Sequence, residues 1–144
     1  MTTIDPSALP TAPSDEDRAA VAAIPGKIGT AWARHDADAF AEVFTEDCTM
    51  ILPGVFRKGR DEVRSYMAQA FAGQFKGTQV TGRPVNVSFL TADSAVLTTT
   101  GGILAPGETE VSDARAIRAS WVLVKRGGEW YLAAYHNSPR DVAP

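Results

Sequence analysis

Four long stretches of β-type sequence follow one another in the second half of the chain. They cover residues 80–90, 95–104, 113–125 and 130–138, and each is rich in Val, Leu, Thr or aromatic residues. The connections between them are short, and two contain Pro-Gly or Gly-Gly turn signals. Short connections predict antiparallel neighbours, because a parallel pair needs a long crossover between its strands. The second half of the chain therefore predicts one antiparallel sheet.

The first part of the chain carries a helical pattern instead. Ser14 and the acidic residues 15–17 are typical of a helix start, since they complement the free backbone N–H groups and the positive end of the helix dipole. Apolar residues then recur at helical spacing as far as Trp32. Proline removes one backbone hydrogen bond, so Pro25-Gly26 predicts a kink or a brief break within this helix.

Two further helices and a strand pair are predicted next. Asp36 can cap a second, short helix, and Gly59 precedes a third helix with acidic residues in its first turn. Between them, residues 48–52 and 55–57 predict two short strands around Pro53-Gly54. Because the helices precede the long strands, the order favours an α+β fold. We expect a cone-shaped curved antiparallel sheet, wrapped around three N-terminal helices and enclosing one apolar pocket.

Length and local composition predict the domain organisation. The 144 residues fit one domain, which we place at residues 15–140. Residues 1–14 contain three prolines among Thr, Ser and Ala and predict a flexible N-terminal tail. Residues 141–144 predict a short C-terminal tail.

Composition excludes several classes of site. A single cysteine, Cys48, excludes an internal disulfide and a multi-cysteine zinc site, and two histidines are too few for a histidine-rich metal site. A net charge of −3 gives no basic surface for nucleic acid. The chain has no apolar run of about 18 residues, as a membrane span needs, and no N-terminal signal pattern. We therefore predict a soluble cytoplasmic protein without a metal and without nucleic-acid or membrane partners.

The last predicted hairpin suggests a register for the sheet. A two-residue turn at Gly127-Gly128 places Trp121 opposite Ala134 and, further from the turn, brings His136 to the same face. This face then changes from an apolar core to a polar pocket mouth. If residue 104 pairs near residue 113, Thr100 joins the same face, although a single bulge would exchange the two faces. The polar residues predicted at the mouth are Asp113, Arg115, His136 and Ser138.

Three stretches of sequence, at residues 31–40, 59–63 and 128–138, resemble the SgcJ/EcaC group of the nuclear transport factor two-like superfamily. This superfamily includes ketosteroid isomerases and SnoaL-type cyclases, and the resemblance extends from about residue 15 to residue 140. It implies a role in making or tailoring a long polyene polyketide in enediyne antibiotic biosynthesis, and a homodimer formed through the outer face of the sheet. It also implies an apolar substrate held in the cone without metal or cofactor. The three acid–base and oxyanion residues of ketosteroid isomerases have no matching motif in this sequence.

The predicted catalytic residues are four polar side chains. His136 is the main candidate for proton transfer, because an imidazole titrates near neutral pH; its alternative role is a core histidine bonded to Ser138 or to the backbone. Arg115 could hold an enolate or carboxylate while Asp113 orients it, or the two could form a cross-strand surface pair. Tyr66 on the third helix could offer its phenol to a carbonyl oxygen, or pack with its hydroxyl in water.

Apolar residues on several predicted elements could form the pocket wall, and their alternative role is ordinary core packing. Methionines and aromatic rings would suit a flat polyene, because thioethers and rings adapt to such shapes. The predicted substrate-binding residues are Trp32, Met50, Phe56, Met67, Phe71, Thr100, Trp121 and Ser138.

Two functions from different classes stay open on this basis. The first is cofactor-free cyclisation, isomerisation or dehydration of a hydrophobic polyene intermediate. The second is a non-catalytic binding or chaperone module for a polyene or for the polyketide synthase. Catalysis needs a titratable group that faces the pocket, whereas shielding needs only an apolar cavity.

Overall fold

The computed structural model describes residues 13–141. The predicted tails at residues 1–14 and 141–144 therefore lie, except for three residues, outside the described residues. Within them, three helices and six strands form one α+β structure, and the predicted fold class is confirmed. In chain order the elements are α1 (Asp15–Ala33), α2 (Ala37–Glu42), β1 (Phe44–Leu52), β2 (Val55–Lys58), α3 (Arg60–Ala72), β3 (Gln79–Thr91), β4 (Ser94–Leu104), β5 (Ile117–Arg126) and β6 (Glu129–Pro139).

The first helix begins and ends close to where the sequence predicts. The Ser14 side chain accepts a hydrogen bond from the backbone N–H of Asp17 at 3.0 Å. Of the two alternatives predicted at Pro25, a brief break is wrong, because α1 continues through this residue, and a kink stays a prediction. Buried side chains lie on both sides of it, among them Val21 and Trp32. Their burial outweighs the single backbone hydrogen bond that proline removes.

Asp17 ties the start of α1 to the last hairpin. Its carboxylate accepts a hydrogen bond from indole Nε1 of Trp130 at 3.0 Å and lies 3.0 Å from Nζ of Lys125. The hydrogen bond from Trp130, and then that from Lys125, lower the pKa of Asp17. Because the pKa of Asp17 is lower in the folded state, this contact stabilises the protein at pH values above the ordinary carboxyl pKa. That stabilisation is lost as the pH falls through the lowered pKa.

The sheet has the strand order β2-β1-β6-β5-β4-β3. Neighbouring strands are antiparallel, as predicted, except that β1 runs parallel to β6. The third long strand begins later than predicted, because residues 113–116 belong to the preceding loop. The inner face of the sheet, which carries Leu97, Trp121 and Leu123, packs against the helices and forms the core with them. No helix within residues 13–141 is both long and apolar enough to span a membrane.

A β-bulge interrupts the register of the last hairpin. Leu123 lies opposite Leu132, as expected from the turn, but Val122 lies opposite Ala134. Ala133 is therefore an extra residue on β6. An insertion of one residue moves every following side chain of that strand to the other face of the sheet.

Because of this bulge, the residues of β6 beyond Ala133 lie on the opposite face of the sheet from the one predicted. Trp121 lies opposite Tyr135, and Asn137 follows on the same inner face. His136 and Ser138 lie on the outer face and are exposed. The prediction that these two side chains face the pocket is wrong.

The predicted pairing of β4 with β5 is shifted as well. The last pair between β4 and β5 is Gly101 opposite Ile117. The predicted pairing of residue 104 near Asp113 is therefore not formed. Thr99, and not the predicted Thr100, lies on the inner face and is buried. Thr100 instead donates a hydrogen bond to the backbone oxygen of Ile117 at 3.2 Å.

The outer face carries exposed apolar side chains at one edge. Ile51 lies opposite Phe56 on β2 and opposite His136 on β6. Ile51 is 40% exposed and Phe56 is 51% exposed. The homodimer expected through this face stays a prediction.

Candidate functional site

A cavity of about 900 Å³ lies between the inner face of the sheet and the helices α1 and α3. Ligand cavities in proteins span about 300–1,000 Å³, so this one can hold a small organic molecule. Its apolar wall includes Trp32, Phe44, Met50, Met67, Phe75 and Trp121. The structure therefore contains the apolar pocket that the sequence predicts.

Small residues on α1 leave room for the cavity. Pro25, Gly26 and Gly29 line it. No atom lies within 4 Å of the position that a Cβ would take at either glycine. The absence of side chains at Gly26 and Gly29 therefore leaves space for the cavity along this part of α1.

The wall beside Trp32 is held in place by the loop that follows α3. Indole Nε1 of Trp32 donates to Oγ1 of Thr78 at 3.0 Å, and that hydroxyl donates to the backbone oxygen of Phe75 at 2.6 Å. The Phe75 and Trp32 ring centroids are 4.7 Å apart. Nε2 of His35 also lies 3.2 Å from the backbone oxygen of Phe75. These contacts fix Phe75 against the cavity.

Tyr135 and Asn137 bring polar groups into this apolar wall. Both line the cavity, and Nδ2 of Asn137 donates to the phenol oxygen of Tyr135 at 3.1 Å. Oδ1 of Asn137 is buried and has no hydrogen-bond partner among the described residues. Burial raises the pKa of Tyr135, and the hydrogen bond from Asn137 opposes that rise. The phenol therefore stays protonated near neutral pH and can donate its proton in a hydrogen bond.

Thr99 and Tyr66 also bring hydroxyl groups to the cavity lining. Oγ1 of Thr99 accepts a hydrogen bond from indole Nε1 of Trp121 at 2.9 Å. The phenol oxygen of Tyr66 accepts one from Nε2 of Gln74 at 2.9 Å, nearer the exposed rim. The Arg57 guanidinium carbon lies 4.9 Å from the centre of the Tyr66 ring.

At the mouth of the cavity, the predicted polar residues Arg115 and Asp113 have other partners than each other. Arg115 lines the cavity, but its Nη2 donates to Oε1 of Glu108 at 2.6 Å. This contact lowers the pKa of Glu108. Asp113 pairs with Arg140 at 3.0 Å, is 93% exposed and does not line the cavity. The predicted Asp113–Arg115 pair is therefore not formed, because each residue has another partner.

Several of the predicted site residues line the cavity, and their roles there stay predictions. Tyr66 and Arg115 were predicted as catalytic, and the rest as substrate-binding. The residues from the sequence prediction that line the cavity are Trp32, Met50, Tyr66, Met67, Arg115 and Trp121.

The other predicted residues lie elsewhere. His136, Ser138 and Thr100 lie on the outer face because of the strand registers. Phe56 is on the short edge strand β2 and is half exposed. Phe71 is buried behind the wall, with its ring centroid 5.4 Å from that of Trp32.

Sequence reasoning missed Tyr135, Asn137 and Thr99 as pocket residues. Each is next in sequence to a residue that was predicted to face the pocket. A register shifted by one residue would have placed all three on the inner face. The choice between the two registers is made by the bulge at Ala133, and the alternation of residues along a strand does not reveal a bulge.

The ionisable side chains around the cavity are all able to donate hydrogen bonds. Those that line it among residues 13–141 are Tyr66, Arg83, Arg115 and Tyr135. A protonated phenol can polarise a carbonyl group, and a guanidinium can hold an anion. Within the same residues, no group of three or more His, Cys, Asp or Glu side chains is placed to hold a metal ion. The arrangement suits binding of an oxygen-containing apolar ligand.

Comparisons with known proteins agree with this architecture. A domain of unknown function with a cystatin-like fold from Nostoc punctiforme is 28% identical, over 90% of this chain and 80% of that chain, with a TM-score of 0.82. An NTF2-like protein from Novosphingobium aromaticivorans is 20% identical, over 89% and 84% of the two chains, with a TM-score of 0.75. A ketosteroid isomerase-like protein from Erwinia carotovora is 22% identical, over 90% and 100%, with a TM-score of 0.70.

The family is shown by the sequence itself. No curated protein matches the chain. The sequence pattern of the SnoaL-like domain, however, matches residues 21–141, which include every residue that lines the cavity. The predicted nuclear transport factor two-like superfamily is thereby confirmed. The chain belongs to the SnoaL-like domain family.

Proposed function

We propose that this protein binds a hydrophobic polyene or polyketide intermediate in the cavity, in a biosynthetic pathway of the enediyne type. The observation that carries the proposal is the cavity of about 900 Å³ with its aromatic and methionine wall. Burying such a ligand is favourable by about 25 cal/mol for each Å² of apolar surface removed from water. The resemblance to the SgcJ/EcaC group supports the choice of pathway.

Filling the cavity from α1 should weaken binding. Gly29 lines the cavity, and a Cβ at this position would have no neighbouring atom within 4 Å, so we expect a leucine side chain to take up cavity volume. We expect Gly29→Leu to fold at least as stably as the native protein, because leucine favours a helix over glycine by roughly 0.5–0.8 kcal/mol. We expect its affinity for the hydrocarbon probe diphenylhexatriene to fall by at least about tenfold. A fluorescence titration measures the affinity.

The control for this experiment is His136→Gln on the outer face. It should leave the affinity unchanged, because His136 does not line the cavity. If the native protein fails to bind the probe, or if Gly29→Leu binds it as tightly, the cavity is not the ligand site.

A catalytic role is the second candidate, and Tyr135 is the observation that favours it. Its phenol, held by Asn137 in the apolar wall, could donate to a carbonyl oxygen of the ligand. Such a donor stabilises negative charge that develops on the oxygen during enolisation. Cyclisation, isomerisation and dehydration of a polyketide can each pass through an enolate.

Tyr135→Phe separates catalysis from simple binding. If the phenol acts on the reacting carbonyl, the variant should form product at least about 100-fold more slowly, as with loss of an oxyanion donor. Metabolite production in a strain that carries the variant measures this, with Tyr131→Phe as the matched control. Full production by Tyr135→Phe, together with loss of production by Gly29→Leu, would indicate a non-catalytic binding module.

A further inference from the structure

His35 has a backbone conformation that histidine rarely adopts. Its φ is 51°, and it is the one non-glycine residue with a positive φ within the part of the chain that the structure describes. It follows the end of α1, where its N–H donates to the backbone oxygen of Trp32 at 2.8 Å and the N–H of Asp36 donates to that of Ala31 at 2.9 Å. Helices commonly end in this way, and glycine is the usual residue at this position because it has no Cβ. The backbone alone therefore favours glycine, and the presence of an imidazole ring needs a separate reason.

The ring of His35 lies against the loop of residues 73–78, which follows α3. Nε2 lies 3.2 Å from the backbone nitrogen of Gly77 and 3.2 Å from the backbone oxygen of Phe75. The ring also meets the ring of Phe71 edge to face, with centroids 5.1 Å apart. Since Phe75 lines the cavity, one nitrogen atom of His35 connects the end of α1 to the cavity wall.

The other hydrogen bonds of the Phe75 carbonyl decide what Nε2 does in the neutral ring. This oxygen accepts from the backbone N–H of Thr78 at 3.1 Å and from Oγ1 of Thr78 at 2.6 Å. A carbonyl oxygen has two lone pairs, so both are in use. The N–H of Gly77, in contrast, has no other acceptor among the described residues. In neutral His35, Nε2 is therefore the acceptor for Gly77, and the ring proton is on Nδ1.

Protonation of the ring reverses this arrangement. Both nitrogen atoms of an imidazolium are donors, so Nε2 can no longer accept from Gly77. Its proton would point towards the Phe75 oxygen and compete with the hydroxyl group of Thr78. That hydroxyl group also accepts from indole Nε1 of Trp32 at 3.0 Å. A proton on His35 therefore removes one hydrogen bond of the loop and weakens the chain of bonds that joins the loop to Trp32.

No carboxylate around the ring compensates for this loss. Among residues 13–141, no Asp or Glu oxygen lies within 4.0 Å of a ring nitrogen of His35. The carboxylate of the neighbouring Asp36 accepts from the backbone N–H of Ala39 at 3.0 Å, at the start of α2. Nearby charges on α1 and on the loop are the exposed cations Arg34 and Lys76, and α3 meets the ring with an apolar side chain. The positive charge of an imidazolium therefore gains no ion pair at this position.

We infer that His35 is a pH-sensitive switch in the cavity wall: the neutral ring holds the loop of residues 73–78, and the protonated ring releases it. An imidazole gains its proton as the pH falls between about 8 and about 5. The consequence for ligand binding rests on the proposed function, because it requires that the cavity binds a ligand. The ligand is then bound at neutral pH and released more readily in mildly acidic solution.

A fluorescence titration with diphenylhexatriene at about pH 7.5 and about pH 5.5 tests this consequence, since the probe has no titratable group. The native protein should bind the probe about threefold to tenfold more weakly at the lower pH, as expected for the loss of one hydrogen bond. His35→Asn should bind it equally at both pH values, because asparagine tolerates this backbone conformation and does not titrate. His136→Gln on the outer face is the matched control and should keep the full pH dependence. Equal pH dependence in the native protein and in His35→Asn would contradict the inference.

NMR spectroscopy tests the loop itself and needs no ligand. The chain has two histidines, so His136→Gln leaves His35 as the single imidazole to follow. As this ring gains its proton, protection from solvent exchange should fall at the Gly77 amide and at the Trp32 indole N–H, with the midpoint of the ring titration. If the ring titrates while both protections stay unchanged, the inference is wrong and the proposed function stands. If both protections fall but the native protein binds no probe at either pH, the switch is supported and the proposed function is overturned.

Discussion

Replacing Gly101 by alanine is expected to lower the free energy of unfolding by about 3 kcal/mol. A Cβ at this position would lie 2.1 Å from the backbone oxygen of Thr81 and 2.6 Å from Cα of Gly82. Both atoms belong to the backbone of β3, so no side-chain rotation relieves the overlap. β3 would have to move away from β4 and weaken the hydrogen bonds between them at the edge of the cavity. Urea denaturation followed by circular dichroism measures the change.

Gly29→Ala is the matched control for this substitution. It also adds one methyl group to a glycine that lines the cavity, but no atom lies within 4 Å of that position. In a helix this exchange should stabilise the protein by about 0.5–1 kcal/mol. A Gly101→Ala variant as stable as the native protein would show that β3 can shift at no cost, contrary to the expectation.

Leu123→Ala is expected to cost about 3 kcal/mol or more. Leu123 is fully buried opposite Leu132, next to the bulge on β6. Truncation removes apolar surface from the core and leaves a void, and both effects lower stability. Because Leu123 does not line the ligand cavity, the void forms in the packed core behind it. The same denaturation experiment measures the loss.

Leu90→Ala should change the stability by no more than about 0.5 kcal/mol. This leucine is 63% exposed on β3, so its truncation removes little buried surface. Equal losses for Leu90→Ala and Leu123→Ala would contradict the placement of the core on the inner face.

The helix starts show what local sequence can predict. Asp36 accepts a hydrogen bond from the backbone N–H of Ala39 at 3.0 Å, and Gly59 precedes α3, as expected. Caps depend on residues three or four positions apart, so their energetics are contained in a short window of sequence. The four long strands were found for a similar reason, since their composition and turn residues are local signals.

Pro25 shows where a local rule loses to the tertiary structure. In isolation, a proline disfavours a continuous helix by about 3 kcal/mol. Within the folded chain, Val21 and Ile24 on one side and Ile28 and Trp32 on the other are all buried. This packing holds both halves of α1 in one helix.

The sequence predicted some of the residues that line the cavity and misplaced others. The difference lies in whether local periodicity or strand register decides where a side chain points. Trp32 and Met67 were placed in the wall because helical periodicity identifies the buried face of a helix. His136 was placed in the cavity because a strand alternates its faces, and one extra residue reverses that assignment. Arg115 pairs with Glu108, and Asp113 pairs with Arg140. Strand pairing does not predict these partners, because Glu108, Asp113 and Arg115 lie in the loop between β4 and β5.

The sequence by itself determined the α+β class, the helix starts and the presence of one apolar pocket, because these follow from composition, periodicity and short-range hydrogen bonds. Only the tertiary structure decided which polar residues face that pocket. The bulge at Ala133 turns Tyr135 and Asn137 inwards and His136 outwards. Both registers alternate equally well along β6. The choice between them depends on how β6 packs against β1 and β5, and that packing involves the whole sheet.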